Sequence, residues 1–259
     1  MNSGFYAATA GLIARTQALD VAANNLANVG TTGFKAQREF YRALQANLDP
    51  TTATAAGGPI SSRRAMGPIN QAINNFGVLG GATTDLSTGS LDRTGNDMDA
   101  AIEGPGFFTL STPTGARYTR NGSFSVGPHG ELLTASGEAV VGKDGPIKLP
   151  PGQVSIGGSG DITVNGNIVD RLHIAEFAKS TPPLQIGGSM FEAPSAGELP
   201  AASHSSVRQG YLEASNLNAV AGGTGLVVIQ RQAEMLQKAL SIFHNDFNKT
   251  AIDEVGKTA

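Results

Sequence analysis

"ANNLANVGTTGFKAQ" occupies residues 23–37, and it places Asn24, Asn25 and Asn28 where an otherwise regular helix is ending. Asparagine is a mediocre helix former, because its short amide competes with the backbone for hydrogen bonds. Something other than helix stability selects these residues. Upstream, Phe5, Leu12, Leu19 and Leu26 recur every seven residues, with Ala8, Ala22 and Ala23 beside them on the same stripe. The spacing predicts a helix over about residues 3–29, roughly 40 Å long at 1.5 Å per residue. Gly30 follows where a left-handed cap is expected.

The far end repeats the pattern. Leu226, Ile229, Ala233, Leu236, Leu240, Phe243 and Phe247 alternate spacings of three and four, the a/d pattern of a coiled coil. Such helices are marginal alone, because nucleation is costly and each stripe would face water. Two partnerships satisfy them equally well on pattern. The terminal helices pack on each other or on the central region, or they pack on further copies of the chain, with Ala7, Ala8, Ala10 and Gly11 permitting close approach. Gly222, Gly223 and Gly225 weaken the start of the last helix by roughly 1 kcal/mol each relative to alanine. A late start or a kink near Gly225 is therefore expected.

Between the helices the texture changes twice. Residues 47–90 are rich in Thr, Ala, Gly, Ser and Asn without sustained periodicity, which reads as an extended linker. A stretch this long is functional or orders against a neighbour. Residues 91–210 carry short β-branched runs broken by Gly, Asn and Pro, the rhythm of antiparallel sheet. Within "RYTRNGSFSV", Asn121 and Gly122 supply the positive φ angles of a two-residue hairpin turn. The fold class is thus α+β: an N-terminal helix and turn (1–46), a linker (47–90), a central antiparallel β domain (91–210) and a C-terminal helix (211–259). The two ends are expected to form a coiled-coil core, with either partnership open.

Composition narrows the function. The chain has 259 residues, 40% apolar, with 34 glycines, and its 18 basic and 21 acidic side chains leave a net charge of −3. No basic footprint for nucleic acid or for a membrane surface is present. The absence of cysteine removes disulfides, thiolate metal sites and a cysteine nucleophile. No apolar run of about 18 residues predicts a membrane span, and the first 20 residues lack the basic and apolar regions of a secretory signal. His129, His173, His204 and His244 are scattered, so neither a metal site nor a cofactor is expected. No Gly-x-Ser-x-Gly elbow is present. "GGSGD" (157–161) lacks the lysine and helix of a phosphate loop and reads as a turn. Asp97, Asp99 and Glu103 flank a strand that begins in "AAIEGPGFFTL". No enzyme chemistry is expected.

"ANNLANVGTTGFKAQ" closely resembles the signature near the amino terminus of bacterial flagellar rod and hook proteins. Three further stretches are similar to that family in the same order: "LDRTGNDMDAAIEGPGFFTL" (91–110), "YTRNGSFSV" (118–126) and "VRQGYLEASNLNAV" (207–220). The resemblance implies a subunit of a hollow helical tube, its terminal helices forming the inner core and its β domain facing outward. It implies a homopolymer in the basal body, crossing the periplasm and transmitting torque. The implied partners are other rod and hook proteins, the flagellar export apparatus and surrounding outer rings, with export needing no cleavable signal. On this resemblance Asn24, Asn25 and Asn28 bond laterally between subunits. Gly33 and Phe34 set the turn out of the core, and Leu12, Leu19, Leu26, Leu226, Ile229, Leu236, Leu240 and Phe243 line the assembly interface. Hook proteins usually carry a larger outer region, so the chain looks more like a rod component. The 47–90 segment leans towards the distal rod protein rather than the longer proximal one. A hook-type axial role, or an exported binding module using the family's ends, is the alternative.

Overall fold

A computed structural model describes residues 2–43, 78–194, 197, 199 and 204–255. Within the linker expected at 47–90, residues 47–77 lie outside the described residues, as do the side chains of Ala7, Phe5 and Phe247. Helix α1 spans Asn2–Ala27 and helix α2 spans Ala219–Val255. Between them come strands β1 (Gln37–Ala43), β2 (Val78–Thr84), β3 (Leu91–Arg93), β4 (Ala100–Glu103), β5 (Phe107–Thr112) and β6 (Gly115–Thr119). These are followed by β7 (Phe124–Val126), β8 (Leu132–Thr134), β9 (Ala139–Gly142), β10 (Gly145–Pro146), β11 (Val154–Ile156) and β12 (Asp161–Val164). The last strands are β13 (Asn167–Arg171), β14 (Ile174–Ala175), β15 (Leu184–Gly187), β16 (Met190–Glu192), β17 (Ser206–Gln209) and β18 (Tyr211–Glu213). Among the described residues, two helices around an antiparallel β middle make the chain α+β.

The chain forms two compact units. One comprises residues 1–24, 38–83 and 220–259; the other comprises residues 25–37 and 84–219. The second unit is therefore wider than the expected 91–210, because it takes in the end of α1, the turn after it and the residues before α2.

The second unit is organised by the run Phe107-Phe108-Thr109-Leu110 in β5. Successive side chains of a strand point to opposite faces, so Phe107 and Phe108 enter different cores. Phe108 and Leu110 pack with Ile102, Phe124, Leu132, Val140, Ile147 and Ile162. Phe107 packs with Tyr118, Ala175, Phe177 and Phe191. Rings meet edge to face on both sides: Phe108 with Phe124 at 5.0 Å and Phe107 with Phe191 at 5.1 Å. Each fully buried phenylalanine contributes about 2–3 kcal/mol, and β5 can bury both faces because it is flanked by β6, β9 and β14. The sheet order is β15-β16-β6-β5-β9-β8-β7. β11, β12 and β13 form a separate three-stranded sheet. The chain then returns to its start: β17 pairs with β4, Val207 opposite Ile102, and β18 pairs with β3, Glu213 opposite Leu91.

Three expectations are corrected. Asn121 and Gly122 make no hairpin, since β6 and β7 are not neighbours in the sheet and neither residue has a positive φ. The Asn121 side chain instead accepts from the Ser123 amide, and the Gly122 carbonyl accepts from the Ala100 amide at 3.0 Å. The pair turns the chain from one sheet neighbourhood to another. Gly30 is not the left-handed residue after α1; Gly33 is, with φ +69°. The last helix does not start near Gly225. It runs from Ala219 through Gly222, Gly223 and Gly225, so the helix continues through all three glycines.

Among the described side chains of α1 the buried ones are Ala10, Ala14, Ala18 and Asn25. At 100° per residue, Leu12, Leu19 and Leu26 lie roughly half a turn away from them, and all three are half-buried. Within the first unit, a methyl group built on Gly11 would lie 3.6 Å from Leu236 of α2. Small residues on α1 thus meet a large one on α2 at that point.

Gly122→Ala tests the redirected turn. An added Cβ would fall 1.6 Å from the Ala100 carbonyl oxygen, so backbone must move, and a loss of about 3 kcal/mol is expected in denaturant unfolding. Gly115→Ala, with open space around it, meets only the strain of φ +114°, and should cost less, about 1–2 kcal/mol.

Candidate functional site

Two features of the chain can carry function: apolar helix faces in the first unit, and a buried polar junction in the second. On α2 the expected stripe is distinguishable. Leu226, Ile229, Leu236 and Leu240 are half-buried and Ala233 is buried, but Phe243 is 51% exposed. The opposite face carries a second apolar row, with Val228, Met235 and Ile242 exposed at 53%, 62% and 59% and spaced by seven residues. Each helix thus has one face that the chain covers better and another that it leaves more open.

The junction begins with the asparagines. Asn25 is buried, and its amide meets the backbone of Gln37 at both ends, accepting from the Gln37 amide at 2.8 Å and donating to the Gln37 carbonyl at 2.7 Å. It substitutes for a neighbouring strand. The Asn25 amide is thus engaged within the chain. Asn28 sits in the turn beyond α1 and accepts from the Thr31 hydroxyl at 3.2 Å; Asn24 is exposed at the end of the helix. Phe34 is 1% exposed and belongs to the interior, so it cannot present its ring to another copy. Gly33 packs backbone on backbone: a Cβ there would lie 2.4 Å from the Arg120 carbonyl carbon and from the Asn121 nitrogen.

Beyond Gly33 lies a cluster that the sequence reading missed. Lys35, Arg120 and Glu213 have side chains 0–1% exposed. The Lys35 ammonium donates to Glu213 Oε1 at 2.5 Å and to the Ser87 carbonyl at 2.6 Å. Arg120 donates to Glu213 Oε2 at 3.3 Å and to the Gly104 carbonyl at 2.7 Å, and its guanidinium lies 4.8 Å from the centre of the Phe107 ring. The Gly89 amide also donates to Glu213 Oε1, at 2.9 Å, and the Gly33 amide donates to the Glu213 carbonyl at 2.7 Å. Asn216 closes the ring, accepting from the Ala36 amide and donating to the carbonyls of Asp85 and Ser87. A signal for this cluster exists in the sequence. Lys35 is the lone charge in 23–37 and Arg120 the lone charge in 118–126, an arrangement unlike that of a solvated face.

Burial lowers the pKa of the Lys35 ammonium and that of the Arg120 guanidinium, against the opposing pull of Glu213. The unfolded chain therefore holds the Lys35 proton to higher pH than the folded one does, and stability rises with pH in the window between the lowered folded value and the ordinary 10.5. Asp85 adds a weaker attraction and Arg120 a repulsion. Denaturant unfolding as the pH rises towards 10.5 should show this rise in the native chain, and Lys35→Met should reduce it; an identical pH slope in both would contradict it.

The cluster supplies position rather than chemistry. Among the described residues no group of three or more His, Asp or Glu side chains could hold a metal ion, and no described helix is long and apolar enough to cross a membrane. Comparison with known proteins agrees with these features. Residues 5–35 match the family described as flagella basal body rod protein, and residues 101–164 match the D1 domain of the flagellar hook protein FlgE/F/G group. The chain is 33% identical to the flagellar basal-body rod protein FlgG of Agrobacterium fabrum, covering 90% of this chain and 92% of that protein. It is 28% identical to the flagellar basal-body rod protein FlgF of Caulobacter vibrioides, covering 99% of both. The flagellar hook protein FlgE of Helicobacter mustelae is 36% identical over 51% of this chain but only 29% of its own length. With this extent of likeness, and with the three stretches that supply Lys35, Arg120 and Glu213 built into one junction, the chain belongs to the flagellar basal-body rod protein family.

Proposed function

We infer that this chain is a structural subunit of the flagellar basal-body rod, and that it works by assembly with its own kind rather than by bond-making. The observation that carries the assembly reading is the second apolar row on each helix, Leu12, Leu19 and Leu26 on α1 and Val228, Met235 and Ile242 on α2. Rows of large apolar residues left partly in water mark contact surfaces. A head-to-tail contact between different faces does not close after two copies and propagates into a helix of subunits. The polymer is then a hollow tube whose core is built from the terminal helices, and many parallel interfaces carry torque through it.

In this reading the chain sits in the part of the basal body that crosses the periplasm, is delivered by the flagellar export apparatus, and adjoins other rod and hook proteins within surrounding outer rings. Asn24 keeps the lateral role first assigned to all three asparagines. The hook-type reading is second, because the likeness to a hook protein covers less than a third of that protein.

The test is a chain carrying Leu12→Asp and Met235→Asp. Both positions are half-buried or exposed, so the β unit should keep its unfolding transition within about 1 kcal/mol. Assembly should be lost, read as absent motility and as failure of the purified chain to polymerise. Normal motility and normal polymers would overturn the reading.

A further inference from the structure

We propose that Glu213 is a latch that makes the order of the two chain ends mutually dependent. The segment after α1 holds its place only while the strand before α2 is in place, and the reverse. The proposal rests on the junction alone and does not depend on what the chain assembles into.

Glu213 receives four donors drawn from three distant parts of the chain. Gly33 and Lys35 come from the N-terminal side, Gly89 from the segment before β3, and Arg120 from the loop after β6. Lys35 and Glu213 stand 178 positions apart. The charges are unequal: two buried cations share one carboxylate. Glu176, also buried, attracts Arg120 from further off while its Oε1 accepts from the Ser205 hydroxyl and the His204 amide.

This inequality sets a direction. Without Lys35, Glu213 and Arg120 remain a one-to-one pair. Without the Glu213 charge, two cations face each other inside the protein, which is far more costly. Lys35 cannot reach water alone, because Phe34 and Ala36 on either side of it are buried too. Its exit takes the segment 33–36 with it and pulls the Ala36 amide off Asn216, which in turn holds the carbonyls of Asp85 and Ser87. One carboxylate therefore governs residues 33–36, 85–89 and 213–216 together.

Hydrogen exchange on the full chain tests this. In Glu213→Gln, amides in 33–36, 85–89 and 214–216 should exchange together about a hundredfold faster or more, with those of β5 and β9 unchanged. Lys35→Met should accelerate the same amides by about tenfold or less. Adding Lys35→Met to Glu213→Gln should slow exchange relative to Glu213→Gln alone, because the surplus cation is gone. Faster exchange confined to β18 and its neighbours, or a double variant no slower than Glu213→Gln, would overturn the latch. If Glu213→Gln fails to fold, the double variant decides: a folded β unit with fast-exchanging anchor segments supports the latch, and an equally unfolded chain refutes it.

Discussion

The carboxylate of Glu213 is the point on which the arrangement of the second unit depends. It lies at the end of β18, where the returning chain has just paired with β3, and it holds Lys35 and Arg120 in a place without solvent. A buried ion pair adds little net stability, since desolvation offsets most of the attraction. What it fixes is position. Without Glu213, Lys35 and Arg120 would lose the carboxylate they share and keep the backbone carbonyls of Ser87 and Gly104, so the carboxylate ties the turn after α1, the loop after β6 and the strand before α2 to one mutual register. Gly33 makes the approach possible, because at φ +69° against the Arg120 backbone no side chain fits.

The helices of the first unit follow a different logic. Their sequences are apolar on more than one face, and each face has a different size of residue. On α1 the small side chains Ala10, Ala14 and Ala18 are the buried ones, while the leucines half a turn away are not. Alanine burial brings little apolar area per residue but allows close approach of a neighbour. Leucines that are only half-covered retain area that a further partner can remove from water. Half-covered leucines of this kind are what the proposed assembly through the helices requires.

Much of this was legible in the sequence, and the parts that were not have identifiable causes. Helix existence and the antiparallel middle follow from period seven at the ends and short β-branched runs between. The leucines of α1 dominate its periodicity, whereas the burial of alanine is decided by approach distance, which sequence does not encode. The Asn121-Gly122 hairpin failed because the dipeptide permits a tight turn without requiring one. Ala100 took the Gly122 carbonyl instead. The asparagine puzzle resolved locally at Asn25, whose amide does for Gln37 what a neighbouring strand would do. The buried trio escaped notice because its members are far apart in the chain, although each lies inside a stretch that carried the family resemblance.

If this chain is a building element of the rod, basal bodies should change when it is removed. Electron cryotomography of cells lacking the chain, and of cells with it restored, should show a shortened or missing rod without the chain and full rod length on restoration. An intact rod that lacks only its hook, or wholly normal flagella, would contradict that reading.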